Sequence, residues 1–271
     1  MKLALKIKLL GLLVLSSQSL LALKLDRVIL GCDANPKYLA FWPMVAKAWR
    51  EIVGVKPTLV LIADETVMVD ETLGDVYRFS PVPGIPTWFQ AQNIRLLFPV
   101  KFPDEVCILS DMDMLPLARK FFVDPVSQYP DNHVIVYRDG AYDKTTKKFP
   151  ICYLAAQGRV FGEILGLASA EEIPTRLQTW FSYELGWETD ELVFYHYLTN
   201  WAGYQQRVVK LGLGKSQADV IDRSKWRYNP ADVKAGKYYQ AHLLRPYAQH
   251  QQAIDDLLKL VPAFSGVVTP Q

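Results

Sequence analysis

The segment Val106-Cys107-Ile108-Leu109-Ser110-Asp111-Met112-Asp113-Met114-Leu115-Pro116 constrains this chain more than any other. Its apolar part is too short for most helices, and it stops at two carboxylates one residue apart. Apolarity at every position means burial on both faces, the pattern of a strand inside a mainly parallel sheet. Ligands of open α/β sheets collect outside the carboxyl ends of such strands. The segment therefore carries an acidic pair to the place where a sheet of this kind builds its site.

The preceding residues supply the rest of such a sheet. Residues 26–33 read as a first strand ending in Gly31-Cys32-Asp33. Asn35 and Pro36 are an N-cap and first-turn signal, followed by apolar residues at three- and four-residue spacing from Tyr38 to Ile52. Gly54 closes that helix, and a second strand, Thr58–Ala63, ends at Asp64-Glu65. A short strand near Val76–Phe79 and a helix from Thr87 to Phe98 complete a β-α-β-(β)-α-β order ahead of the acidic pair. Downstream, the patterns predict helices near 119–123, 158–167, 170–181, 192–201 and 249–260. Strands are predicted near 133–137, 149–155 and 207–211. The fold class expected is α/β: one domain, residues 24–271, with a mixed, mainly parallel sheet flanked by helices.

Residues 1–23 differ from the rest. Lys2, Lys6 and Lys8 precede an apolar stretch that falls short of the ~20 residues a bilayer requires, with small residues near Ser17 and Ser19. This fits a cleaved signal peptide, an uncleaved membrane anchor or an ordinary first helix. The formal charge of +2 is spread over the chain without a basic stripe, so a nucleic-acid partner is not expected. Cys32, Cys107 and Cys152 are too few and too far apart for a disulfide framework or a zinc site.

Two carboxylates at a strand end suit a hard divalent cation, Mn²⁺ or Mg²⁺, which keeps open positions for phosphate oxygens. The apolar strand, Ser110-Asp111-Met112-Asp113, Leu115-Pro116 and the preceding helix with an arginine together resemble the Asp-x-Asp core of GT-A-fold glycosyltransferases. The resemblance implies a metal-dependent enzyme that moves a sugar from a nucleotide diphosphate-sugar, UDP-linked by preference, to a hydroxyl of a glycan, glycoprotein or glycolipid. It implies that Asp113 ligates the metal and that Asp111 contacts metal and ribose. Gly31, Cys32, Asp33 and Asp64 would line the nucleotide pocket, and Arg95 would reach the base or the phosphates. His242, near the carboxyl end in Ala241-His242-Leu243-Leu244-Arg245-Pro246, takes the place of a further metal ligand, and Arg245 that of a phosphate partner or a surface ion pair.

The resemblance also implies that an acidic residue at the helix start in Trp187-Glu188-Thr189-Asp190-Glu191 faces the acceptor. Asp190 is the first choice for removing the acceptor proton, Glu191 the second and Glu188 the third. The helix macrodipole favours acidic residues there in any case. Trp187 offers a face to a sugar or belongs to the core. Gly158, after Ala155-Ala156-Gln157, would allow a sugar to approach closely. A signal-like start combined with this chemistry points to the lumen of the secretory pathway, to secretion, or to membrane association through the amino terminus.

Two other classes share some of these features. Haloacid-dehalogenase-like phosphatases would use Asp111 as nucleophile and Asp113 as general acid. Their motif belongs on the first strand, however, and their later aspartate pair is matched only by Asp255-Asp256 inside the terminal helix. Seven tryptophans and fourteen tyrosines would also serve a non-enzymatic carbohydrate-binding protein, which needs no metal at the acidic pair.

Overall fold

The run Val106–Ser110 lies at the centre of a seven-stranded sheet, buried throughout. The computed structural model of the chain describes residues 21–143, 145–213 and 219–265. Its first part runs β1 (Arg27–Asp33), α1 (Pro36–Leu39), α2 (Trp42–Ala48), β2 (Lys56–Ile62), β3 (Asp75–Phe79), α3 (Thr87–Leu97), β4 (Val106–Ser110) and β5 (Met114–Pro116). Then come β6 (Val134–Val136), β7 (Leu154–Gln157), α4 (Gly158–Leu165), α5 (Ile173–Phe181), α6 (Thr189–Asn200), α7 (Tyr204–Arg207) and β8 (Val208–Lys210). The chain closes with β9 (Val220–Ile221), α8 (Pro230–Lys234), β10 (Gln240–His242) and α9 (Tyr247–Leu258).

The large sheet has the order β3-β2-β1-β4-β7-β6-β8, and only β7 runs against the others. This is the mixed, mainly parallel sheet flanked by helices that the sequence led us to expect. Side chains alternate between two cores, one on each face. Val28, Leu30 and Cys32 of β1 and Val106 and Ile108 of β4 join Trp42, Trp49, Phe122 and Tyr153 on one side. Ile29, Cys107 and Leu109 join Phe89, Ile94, Phe161, Trp180 and Phe194 on the other. Burial on both faces is why β4 carries no polar alternation.

A smaller sheet, β5-β10-β9, sits beyond the end of β4 and is central to the site. After β4 the chain turns through Asp111–Met114, closed by Met114 N–H to Asp111 O at 3.1 Å, and enters β5. β10 pairs antiparallel to β5 with His242 opposite Met114, and Leu243 N–H donates to Asp113 O at 2.8 Å. Backbone pairing thus joins the acidic pair to a segment about 130 residues downstream.

Several local expectations need correction. The helix expected up to Ile52 is interrupted at Ala40–Phe41 and restarts at Trp42 with Pro43 in its first turn, where the missing N–H costs nothing. It ends in a π-helical turn, Trp49–Val53, capped by Gly54 at φ +82°. Residues 149–153 form no strand. Phe149, Ile151 and Tyr153 are buried by tertiary packing, and pairing begins only at Leu154. Residues 119–121 make a single 3₁₀ turn.

The expected signal or anchor falls mostly on residues 1–20, outside the described residues. Its last residues pack on the domain: Leu23 is buried and its N–H donates to Tyr129 O at 2.7 Å. Among the described residues no helix is long and apolar enough to cross a membrane.

Candidate active site

The carboxyl ends of β1 and β4 open onto a cavity of about 850 Å³, within the ~300–1,000 Å³ usual for small-ligand sites. Asp113 lies at its base with 4% of its surface exposed. Its Oδ2 accepts from Arg223 Nη1 at 2.8 Å and lies 3.2 Å from Arg245 Nε and 3.3 Å from His242 Nε2. Burial alone would push this carboxyl up. The His242 hydrogen bond and the Arg245 and Arg223 charges outweigh it and hold the group below the usual carboxylate range. Arg245 also lies over the Tyr38 ring, 4.8 Å from its centroid, and donates to the Tyr38 hydroxyl.

A second charged cluster forms the opposite wall. Arg95, nearly buried on α3, bridges Asp111 and Asp190, reaching Asp190 Oδ2 at 2.9 Å. Gln92 Nε2 and Glu191 N–H donate to Asp190 Oδ1 at 3.0 and 2.9 Å. Burial pushes the Asp190 carboxyl up against the opposing pull of Arg95. With both oxygens engaged and 1% of its surface exposed, Asp190 orients Arg95, and through Arg95 it orients Asp111. The residue anticipated as first choice for the general base thus borders the cavity with its carboxylate held by Arg95 and Gln92.

Glu191 is the more accessible of the two acids. It accepts from the Tyr142 hydroxyl at 2.6 Å, lies 3.7 Å from Lys148 Nζ, and keeps 18% side-chain exposure. Burial and the neighbouring Asp190 charge raise its carboxyl, while Tyr142, Lys148 and Arg95 work in the other direction.

The donor set can be tested against the expected metal. Asp113 Oδ2 and His242 Nε2 are 3.3 Å apart, close to the ~3 Å edge between adjacent ligands when metal–ligand bonds are ~2.1 Å. Asp111 opens onto the same cavity, with its carboxylate turned to Arg95. Among the described residues no group of three His, Cys, Asp or Glu forms a ready ligand set. Asp111, Asp113 and His242 thus border one cavity without forming a closed ligand set, and both carboxylates are engaged by arginines.

No protein-family model matches the sequence, and no curated protein does. Solved structures of similar shape include glycosyltransferases. One is the galactosyltransferase LgtC in complex with donor and acceptor sugar analogs, at 10% identity over 90% of this chain and 98% of that chain, TM-score 0.47. Another is GlyE of Streptococcus pneumoniae TIGR4, at 12% identity over 89% of this chain and 53% of that chain, TM-score 0.46. A third is involved in glycosylation of the major capsid of PBCV-1, at 9% identity over 85% of this chain and 99% of that chain, TM-score 0.44.

The remaining expected residues are divided by the fold. Gly31, Cys32, Asp33, Arg95, Asp111, Asp113, Asp190, Glu191, His242 and Arg245 line the one cavity. Asp64 does not; its carboxylate is exposed and accepts from the Thr66 backbone and hydroxyl. Gly31 is a glycine because α3 crosses there: a Cβ would stand 2.2 Å from Ala91 O. Gly158 likewise faces backbone, with a Cβ 2.2 Å from both Pro99 O and Phe102 O, and it lies outside the cavity lining rather than admitting a sugar. The Cys32 thiol, pushed up by burial, donates to Asp33 O at 3.1 Å. All three cysteines are free and buried.

Sequence reasoning missed Arg223, Arg138, Lys148, Tyr142 and Tyr38. Arg223 follows β9, a two-residue strand that no periodicity could mark. Arg138 Nη1 lies 3.1 Å from Cys152 Sγ on the cavity wall. Lys148 had a weak signal, being the last of three lysines (Lys144, Lys147, Lys148) just ahead of the Phe149–Ile151 stretch.

Proposed function

We propose that this chain is a glycosyltransferase that takes a nucleotide diphosphate-sugar, UDP-linked by preference, and passes the sugar to an acceptor hydroxyl. The observation that carries this reading is the cluster of Asp113, His242, Arg223 and Arg245 at the carboxyl end of the central strand, facing a cavity of nucleotide-sugar size. A diphosphate leaving group needs charge neutralised as it departs. Two guanidinium groups bound to one buried carboxylate carry a net positive charge to that place.

Asp113 and His242, with Asp111 beside them, would hold Mn²⁺ or Mg²⁺, which when bound neutralises the diphosphate. Arg223 and Arg245 bind phosphate oxygens in the planar, forked manner suited to them. Asp33 and Tyr38, at the end of β1 and on α1, border the nucleoside end. Arg95, fixed by Asp190, keeps Asp111 oriented. Glu191 takes the proton of the acceptor hydroxyl at its carboxylate, a role needed where the anomeric configuration inverts. Its raised, part-buried carboxyl is suited to it. If residues 1–23 act as a signal or anchor, the enzyme works in the secretory lumen or at a membrane surface.

The phosphatase reading loses support, since Asp111 is engaged by Arg95 and Asp255-Asp256 lie on α9 away from the cavity. A panel of nucleotide sugars with and without Mn²⁺, read by thermal shift and nucleotide release, tests the proposal. A metal-dependent stabilisation and release with one nucleotide class is expected. Stabilisation by none, or phosphate release from a generic phosphoester instead, overturns it.

A further inference from the structure

Trp88, in the first turn of α3, and Trp187, just ahead of α6, are 40% and 59% exposed. Their rings stack with centroids 5.6 Å apart and planes at 26°, at the border of the cavity described above. Large aromatic side chains left in water forgo the burial that normally determines their position. Both residues are held in place by the fold. Trp88 packs edge-on against the buried Phe89, and the Trp187 carbonyl accepts from Gln92, the residue that also holds Asp190.

Polar groups stand beside the platform. Glu188 pairs with Lys148 Nζ at 2.5 Å, and Glu191 accepts from Tyr142. A flat apolar face bordered by carboxylates and an ammonium matches a pyranose ring, which offers C–H groups on one face and hydroxyls around its edge.

We infer that the Trp88–Trp187 stack is the seat of the acceptor and that the acceptor is a hexopyranose residue of a glycan. The outer face of Trp187 takes the ring's C–H side, and Glu188 and Lys148 take hydroxyls. The ring edge is thereby directed to Glu191. This rests on the transferase reading and names its acceptor class. A lipid tail would use apolar surface alone, such as the exposed Phe181, Tyr183 and Leu185, and would gain nothing from the charged border.

The test uses tryptophan fluorescence of the full chain titrated with methyl β-D-glucopyranoside, methyl β-D-galactopyranoside and lactose. Phosphatidylcholine–phosphatidylglycerol vesicles form a parallel arm. Saturable quenching by at least one glycoside is expected, lost in Trp187→Ala and largely kept in Trp187→Phe. The acceptor KM of Trp187→Ala should rise about tenfold, more than the donor KM, as loss of one stacked ring predicts.

The inference is overturned if no glycoside of the panel quenches, or if Trp187→Ala binds the glycosides as tightly as the parent chain. It is also overturned if vesicles bind the chain through Trp187 and the glycosides do not compete. Failure of every nucleotide sugar to be turned over would sink the transferase reading separately, because the quenching titration needs no donor. Both tryptophans lie on the surface, so loss of folding is not the expected reason for any change.

Discussion

Two buried arginines sit at opposite ends of the same parallel strands and do different things. Arg27, at the amino end of β1, binds Glu105 through Nε at 2.6 Å and Nη2 at 2.8 Å, Asp75 at 2.9 Å and Thr58 at 2.8 Å. Lys56 adds a second contact to Asp75, at 2.8 Å, and the Arg27 guanidinium covers the Phe102 ring at 3.8 Å. Charges balance, and none of these residues lines the large cavity. Arg95, at the carboxyl end of β4, also holds two carboxylates, but one of them, Asp111, opens onto the large cavity, and two more arginines gather nearby on Asp113. Equal burial of charge thus serves stability at one end and ligand chemistry at the other. The signature of the second is a charged network left open on one side.

Substitutions should separate the two ends. The largest effect is expected from Asp113→Asn, which removes the charge that gathers Arg223, Arg245 and His242. Turnover of the folded fraction should fall by about 10²–10³-fold in steady-state assays. Arg27→Met should do the reverse. Leaving Glu105 unpaired and Asp75 with Lys56 alone should cost about 1–3 kcal/mol in urea unfolding, while kcat of the folded fraction is kept. Loss of activity at full stability in Arg27→Met would collapse the distinction.

Asp190→Asn tests the positioning role. It leaves Arg95 with one carboxylate, so kcat/KM should drop about 10–100-fold, as for residues that orient ligating groups, without removal of a pH-dependent limb. Glu191 should supply that limb. Its carboxyl is raised chiefly by burial, so it becomes protonated at higher pH than an ordinary glutamate. Activity should therefore fall as pH drops through that raised value, and Glu191→Gln should abolish the limb along with most of the rate. The smallest effect concerns Asp75, whose carboxyl is lowered by Lys56 and Arg27 against burial. Its contribution to stability should be present above its unfolded-state pKa of ~3.9 and be lost as pH falls through the lower folded-state value. Arg27→Met should flatten that part of the stability profile.

The sheet and its acidic strand end were legible because both depend on short-range patterns. β4 is apolar at each position, and helices of period 3.6 flank β1 and β2. His242 was legible for a related reason, as the end of a short apolar-aromatic strand. Arg223 was not, because its place depends on the pairing of β9 with β10 and on a loop without periodicity. The state of Asp190 was also hidden. An acid in the first turn of a helix reads as solvated, and only the packing of α3 against α6 brings Gln92 and Arg95 onto it. Gly158 was read as yielding to a sugar, whereas it yields to backbone carbonyls that the sequence cannot place beside it. Asp64 shows the opposite limit: an acid at a strand end is near the cavity only if its loop turns that way, and Thr66 turns it aside.

The most direct measurement is calorimetric titration of UDP with Mn²⁺ into the parent chain, Arg27→Met and Asp113→Asn. Saturable binding to the first two and none to the third is expected, since the diphosphate site is the open charged network on Asp113. Equal affinity for the parent chain and Asp113→Asn, or no binding to any of them, would contradict it.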